Sequence, residues 1–157
     1  MIGAGMDKSK QSEIDNFLAN KSIALIGYSR SGKKFGNTIY TELTKTGYRV
    51  YPIHNAADDI NGVKCYKSFN DLPEKVENAI FVIPPEKNSA ILEDARNSGV
   101  KYIWFQQGAS DKRVIGFCHE HQIAAIHDYC ILMFIVSSAF PHNLHKWFLR
   151  LFGKLPS

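Results

Sequence analysis

Apolar positions along the chain follow two alternating rhythms. Short continuous apolar runs predict strands buried on both faces: Ile23-Ala24-Leu25-Ile26, Ala79 to Ile83, Tyr102-Ile103-Trp104-Phe105 and Ile123 to Ile126. Arg49-Val50-Tyr51-Pro52-Ile53 predicts one more, with Pro52 at its end. Helical spacing fills the intervals. Residues 12–19 read as a short helix capped by Ser12, with Ile14, Phe17 and Leu18 on one face. Gly36 to Thr46 places Ile39, Tyr40 and Leu43 together, and Gly47 follows its end. Further helices are predicted from Lys87 to Ser98 and from Asp111 to His121. Residues 54–73 are irregular, with a turn at Asn61-Gly62 and a brief strand at Val63 to Tyr66. The tail predicts an amphipathic helix from Leu144 to Phe152.

This alternation implies an α/β fold. The expected form is Rossmann-like and doubly wound, a mainly parallel sheet of about five strands with helices on both faces. Such sheets bind ligands beyond the carboxyl ends of their strands. Four loops are therefore candidates for chemistry: Gly27–Gly36, His54–Ala57, Pro84–Glu86 and Gln106–Ala109.

The first loop reads Gly27-Tyr28-Ser29-Arg30-Ser31-Gly32-Lys33-Lys34. It approaches the P-loop pattern, but Lys34 replaces the hydroxyl that would hold magnesium. It also approaches the dinucleotide fingerprint, with Ser29 in place of the middle glycine. The second strand ends in His54-Asn55, where a dinucleotide fold places an acid for the ribose. An NAD(P)-dependent enzyme or redox-regulatory domain is thus the alternative reading. Arg30, Lys33 and Lys34 still supply charge for phosphates, and Gly32 and Gly36 allow backbone to approach an anion.

Composition narrows the class. The chain has 157 residues, 45% hydrophobic and 22% charged, which predicts one folded domain over 1–157 with its core at 20–135. No apolar run approaches the roughly 20 residues of a membrane span. The charged N-terminus lacks the apolar stretch of a signal peptide. Three cysteines (Cys65, Cys118 and Cys130) suggest free thiols in the reducing cytoplasm. A net charge of +4 allows anionic ligands but is too mild to argue for nucleic acid.

Other constellations offer weaker chemistry. Cys118, His119, His121, His127 and Cys130 lie close in sequence, but their spacing matches no zinc pattern. Cys130 beside His127 is conceivable as nucleophile and base, against the plainer reading of a small buried thiol. Leu144, Trp147, Phe148, Leu151 and Phe152 form an apolar stripe on the last helix. It suits packing on the sheet or a homodimer contact, with partner or membrane docking as the second alternative.

Taken in order, Gly27 to Asn37, Gly47 to Ile53, Val82 to Pro85, Gly99 to Gly108 and Asp128 to Met133 resemble the small CoA-binding-domain proteins. Their domain is similar to the N-terminal domain of the succinyl-CoA synthetase alpha subunit. The resemblance covers about residues 20–135. It implies non-covalent binding of coenzyme A or an acyl-CoA across the carboxyl ends of the strands. It implies that Gly27, Ser29, Arg30, Phe35, Gly36 and Asn37 line the phosphate and adenosine-phosphate end. His54 and Asn55 stand where the family often has Asn-Pro. Ile83, Pro84 and Pro85 would form an apolar ledge, and Gln106, Gln107 and Gly108 would meet the pantetheine. The larger synthetase carries its phosphorylated histidine on a second domain. The expectation for this chain is accordingly binding, without catalysis by the chain alone.

Overall fold

A computed structural model of the chain describes residues 8–135. In chain order it has α1 (Lys8–Ala19), β1 (Ser22–Ile26), α2 (Phe35–Lys45), β2 (Arg49–Ile53), β3 (Asp59–Ile60) and β4 (Val63–Lys64). Then follow β5 (Asn78–Phe81), α3 (Ser89–Asn97), β6 (Tyr102–Phe105), α4 (Lys112–Glu120), β7 (Ala124–Ile126) and α5 (Leu132–Ile135). Five strands form one parallel sheet in the order β2-β1-β5-β6-β7. The chain winds outward from β1 to β2 and then crosses back to β5. The topological switch point therefore lies between β1 and β5, as expected of a Rossmann-like fold.

Alternate residues of β1 feed two cores. Ala24 and Ile26 join Phe81, Leu92, Phe105 and Val114 on one face of the sheet. Ile23 and Leu25 join Phe17, Ile39, Leu43 and Trp104 on the other. Complete burial of both faces explains why the central strands read as unbroken apolar runs. Each fully buried side chain of this size stabilises by about 1.5–3 kcal/mol before ordering entropy opposes it.

Both sheet edges are blunted. Pro52 lies inside β2 rather than at its end, and the edge position of that strand permits it. Its carbonyl accepts from Tyr66 N–H at 2.9 Å, and His54 N–H donates to Tyr66 O at 2.7 Å. The outward side of β2 is thus partly paired, and the absent proline N–H falls on that side. At the far edge, Lys10 Nζ donates to Ala125 O at 2.8 Å, which places a charge against β7.

Some predicted boundaries move. Ser12 lies inside α1, because Lys10–Glu13 and Gln11–Asp15 pairs support helix upstream of it. Strand β5 ends at Phe81, and only Val82 N–H reaches Ile26 O, at 2.8 Å, before the prolines turn the chain. A single 3-10 turn, Pro85–Lys87, precedes α3, which starts at Ser89 instead of Lys87. The 54–73 segment contains the β3–β4 hairpin, with Asn61 at φ 52° and Gly62 at φ 84°. That pair of positive φ values is the type I′ turn the Asn-Gly dipeptide favours. The helix predicted from Leu144 to Phe152, with His142 and His145, lies outside the described residues. Among the described residues, no helix is long and apolar enough to cross a membrane.

Candidate functional site

The carboxyl edge of the sheet is a level line. Ile26 pairs with Phe81, Phe81 with Phe105, and Trp104 with Ile126. One residue beyond, Gly27, Val82 and Gln106 follow one another across β1, β5 and β6, and His127 leaves the end of β7. All four candidate loops leave from this edge of the sheet.

Loop 27–34 is held by its own side chains and by α2. Gly27 takes φ 124°, a region that disfavours any side chain, and a Cβ there would stand 2.9 Å from Val82 Cβ. Asn37 clamps the loop from inside α2. Its Oδ1 accepts from Ser29 N–H at 3.1 Å and its Nδ2 donates to Ser29 O at 2.9 Å. Asn37 is buried and both ends of its amide are engaged, so its observed work is to shape the loop. Gly36 is buried as well, pressed against the Gly27 carbonyl. It fills the close-packing role of the last glycine in a dinucleotide fingerprint, a role that sequence spacing would assign to Gly32. Gly32 has open space around it.

Helix α2 begins without a side-chain cap and without an acid in its first turn. Lys34 occupies the cap position, Lys33 precedes it, and Arg30, Lys33 and Lys34 are all exposed. Phe35, half-buried, opens the helix and packs on the α2-side core. A cationic, uncapped N-terminus is unfavourable by itself and is relieved by an anion. Ser29 and Ser31 hydroxyls accept from Ser31 and Lys33 N–H at 3.3 and 3.2 Å, so the loop stays ordered.

After β2, His54 Nδ1 accepts from Ala56 N–H at 3.2 Å, and Asn55 is exposed. The β3–β4 hairpin leans toward the first loop. Asn61 Nδ2 lies 3.4 Å from Arg30 O, and the Arg30 guanidinium lies 3.4 Å from Ala56 O. Cys65, Ala57 and Ile60 form a small apolar floor there with Tyr28.

Two residues that sequence reasoning missed organise the next two loops. Arg113, on α4, donates to Pro85 O and to Ser89 Oγ, the latter at 3.0 Å. Asn88 is fully buried and donates to Ala109 O at 3.2 Å. Arg113 thereby ties Pro85 and the start of α3 to α4, and Asn88 ties the same segment to the turn after β6. Ile83 and Pro85 are half-buried and Pro84 is exposed, so an apolar ledge is present. Exposed Arg113 and a lone Asn88 carry no motif, which is why neither drew notice.

The turn after β6 closes with Ala109 N–H to Gln106 O at 2.9 Å, and Gly108 takes φ 85° as a type II turn requires. Gln107 and Gly108 are exposed. Gln106 is buried and turns inward, where its Oε1 accepts from Ile131 N–H at 3.3 Å. With Trp104 Nε1, which donates to Tyr129 O at 3.0 Å, it anchors the segment after β7.

The thiols are buried and unpaired. Burial pushes Cys118 up to about 12 and Cys130 up to about 11, the latter despite the Gln106 amide beside it. Cys130 is thus the small buried thiol, and His127 pairs with Asp128, not with it. Cys118 faces the core, while the His121 ring lies 4.5 Å from that of Phe117. A cavity of about 280 Å³ lined by Phe69, Leu72, Glu74, Lys75 and Ser98 lies away from this edge, at the amino-terminal end of the sheet.

Comparison with known proteins places this edge in context. The CoA binding domain family matches residues 21–135, and the chain belongs to that family. It is 29% identical over 129 residues to the Acetate--CoA ligase [ADP-forming] II subunit alpha of Pyrococcus furiosus, covering 75% of this chain and 28% of that protein. Against the Acetate--CoA ligase [ADP-forming] of Methanocaldococcus jannaschii it is 37% identical over 81 residues, 52% of this chain and 12% of that one. The chain therefore spans less than a third of either relative. Among solved structures, a conserved hypothetical protein from Pyrococcus furiosus superimposes with TM-score 0.67 at 34% identity, over 72% of this chain and 97% of its own.

Proposed function

We propose that this chain binds coenzyme A or an acyl-CoA non-covalently at the carboxyl edge of its sheet. The observation that carries the reading is the N-terminus of α2 at the β1 end of the switch point. It is uncapped, free of acids and flanked by Lys33 and Lys34. CoA brings a pyrophosphate and a 3′-phosphate to such a place. It needs no acid after β2, and His54-Asn55 supplies none.

In this reading Gly27, Ser29, Arg30, Lys33, Phe35 and the first turn of α2 receive the phosphates. Gly36 and Asn37 act by holding the loop. His54 and Asn55 border the adenosine end. Ile83, Pro84 and Pro85 offer apolar contact, and Gln107 and Gly108 offer polar contact to the pantetheine. Gln106 contributes by fixing the segment beyond β7. The curated ligases support the ligand class. Their reaction belongs to much longer proteins, and for this chain we propose binding in the cytoplasm without ligation by the chain alone.

Calorimetric titration and thermal shift with CoA, acetyl-CoA, NAD, NADP and ATP test the reading. A ligand that binds only the folded state raises its stability. Stabilisation by the CoA species is expected. Stabilisation by NAD with none by CoA overturns it.

A further inference from the structure

At the far end of the same edge, His127 and Asp128 follow β7. His127 Nδ1 lies 2.6 Å from Asp128 Oδ2. The His127 side chain is 29% exposed, and its Nε2 makes no hydrogen bond among the described residues. Asp128 is 80% exposed and takes φ 68°, a conformation rare outside glycine. In the tautomer whose Nδ1–H donates to this carboxylate, Nε2 is the free acceptor.

Position gives the pair a target. In register, Ile126 at the end of β7 stands level with Leu25 near the end of β1, and β5 and β6 lie between their strands. Three interstrand steps of about 4.8 Å set the ends of β1 and β7, from which the phosphate loop and the pair depart, roughly 14 Å apart. An extended pantetheine arm covers a distance of that order. A ligand with its phosphates at α2 and its arm along Pro85 and Gln107 ends near His127.

We propose that His127, oriented by Asp128, accepts the proton of the ligand's thiol. The S–H bond breaks, the proton passes to Nε2, and the thiolate remains paired with the imidazolium. The chain would then present its ligand as a ready nucleophile to an acyl donor. The inference rests on the CoA reading above.

Thiolate absorbance near 240 nm tests it at pH 7, with CoA-loaded protein measured against protein loaded with desulfo-CoA. Calorimetry on each variant sets a saturating ligand concentration, so occupancy is known independently. An ordinary thiol with a pKa near 8.5 is only a few per cent ionised at this pH. Wild type is expected to raise the thiolate fraction of bound CoA about tenfold. His127→Gln is expected to abolish the rise, and Asp128→Asn to reduce it. Asparagine tolerates the backbone at this position, and the side chain is exposed, so that variant guards against a folding failure. Saturable binding with no rise in wild type, or an equal rise in His127→Gln, overturns the proposal. Absence of CoA binding overturns the CoA reading itself, and the proton-transfer proposal with it.

Discussion

A Cβ placed on Gly36 would lie 2.2 Å from the carbonyl oxygen of Gly27. The first turn of α2 is therefore set directly on the end of β1, at backbone distance. The obstructing atom belongs to backbone and cannot rotate away. Gly36→Ala must push helix and strand apart, at a cost of about 1–3 kcal/mol or more. Denaturant unfolding is expected to lose that amount, and CoA affinity is expected to fall with it. A variant as stable as wild type would mean that α2 shifts freely on the sheet.

Asn37 makes a separable contribution. Its amide meets both backbone groups of Ser29, at 3.1 and 2.9 Å. Asn37→Ala leaves those groups without their partner and is expected to cost about 1–3 kcal/mol. Asn37→Asp keeps the acceptor for Ser29 N–H but sets a carboxylate against Ser29 O and among the loop cations. CoA affinity should fall more in the Asp variant than in the Ala variant, because the added charge opposes phosphate. Equal affinities in the two would show that the loop's charge does not reach the ligand.

Much of this was legible in the chain. The five sheet strands and their helices follow from apolar runs such as Ile23 to Ile26, because burial on both faces leaves little choice of residue. The glycines at 27 and 36 were visible too, though their roles were not. Gly32 stands where a fingerprint glycine belongs, and only the packed backbone reveals that Gly36 makes the close contact. Side-chain direction was the other hidden quantity. Gln106 reads as a polar group at a loop mouth, yet it points inward to Ile131. Arg113 and Asn88 act across 20 residues or more of chain, and no local pattern encodes such a tie. The Pro52 position depended on strand order, because an edge strand tolerates a proline within it.

Exposed cations should act on phosphate in a salt-dependent way. Arg30 and Lys33 are both exposed, so each contributes modestly and is screened. Arg30→Ala combined with Lys33→Ala is expected to weaken CoA binding roughly tenfold at low salt. The slope of affinity against salt concentration should flatten. Dephospho-CoA, tested alongside, separates the 3′-phosphate from the pyrophosphate. An unchanged slope would remove loop 27–34 from the phosphate site.

At the opposite end of the sheet, Glu74 gathers three donors. Arg49 Nε donates to it at 2.9 Å, Tyr51 OH donates to the same oxygen, and Ser22 Oγ donates at 2.7 Å to the other. Hydrogen bonds from Arg49, then from Tyr51 and Ser22, hold its carboxyl down to about 2 from an ordinary 4.5. A lowered folded-state value means that the ionised group stabilises the fold. That contribution is complete above pH 4.5 and is lost as pH falls through about 2. Glu74→Gln removes the charge while keeping the shape. Its melting temperature at pH 7 should fall by a few degrees. Its loss of stability between pH 4.5 and 2 should be shallower than that of wild type, and parallel curves would refute the assignment.

Cys118 and Cys130 should be silent toward thiol reagents in the folded chain. Their values near 12 and 11 leave almost no thiolate at pH 8, and both side chains are buried. Cys65 is buried too, and its thiol is raised, first by burial and then by the charge of Asp59. Folded protein is therefore expected to react with an aromatic disulfide reagent only on the timescale of opening, and unfolded protein is expected to react at once at all three sites. The order of release carries information. Cys65 sits on the small floor beneath the first loop, with Tyr28, Ala57 and Ile60, whereas Cys118 is packed in the main core. Local opening of the loop should expose Cys65 first. Saturating CoA should slow that first reaction and leave the slower two nearly unchanged at moderate denaturant. Simultaneous reaction of all three, with or without CoA, would mean that loop and core open together.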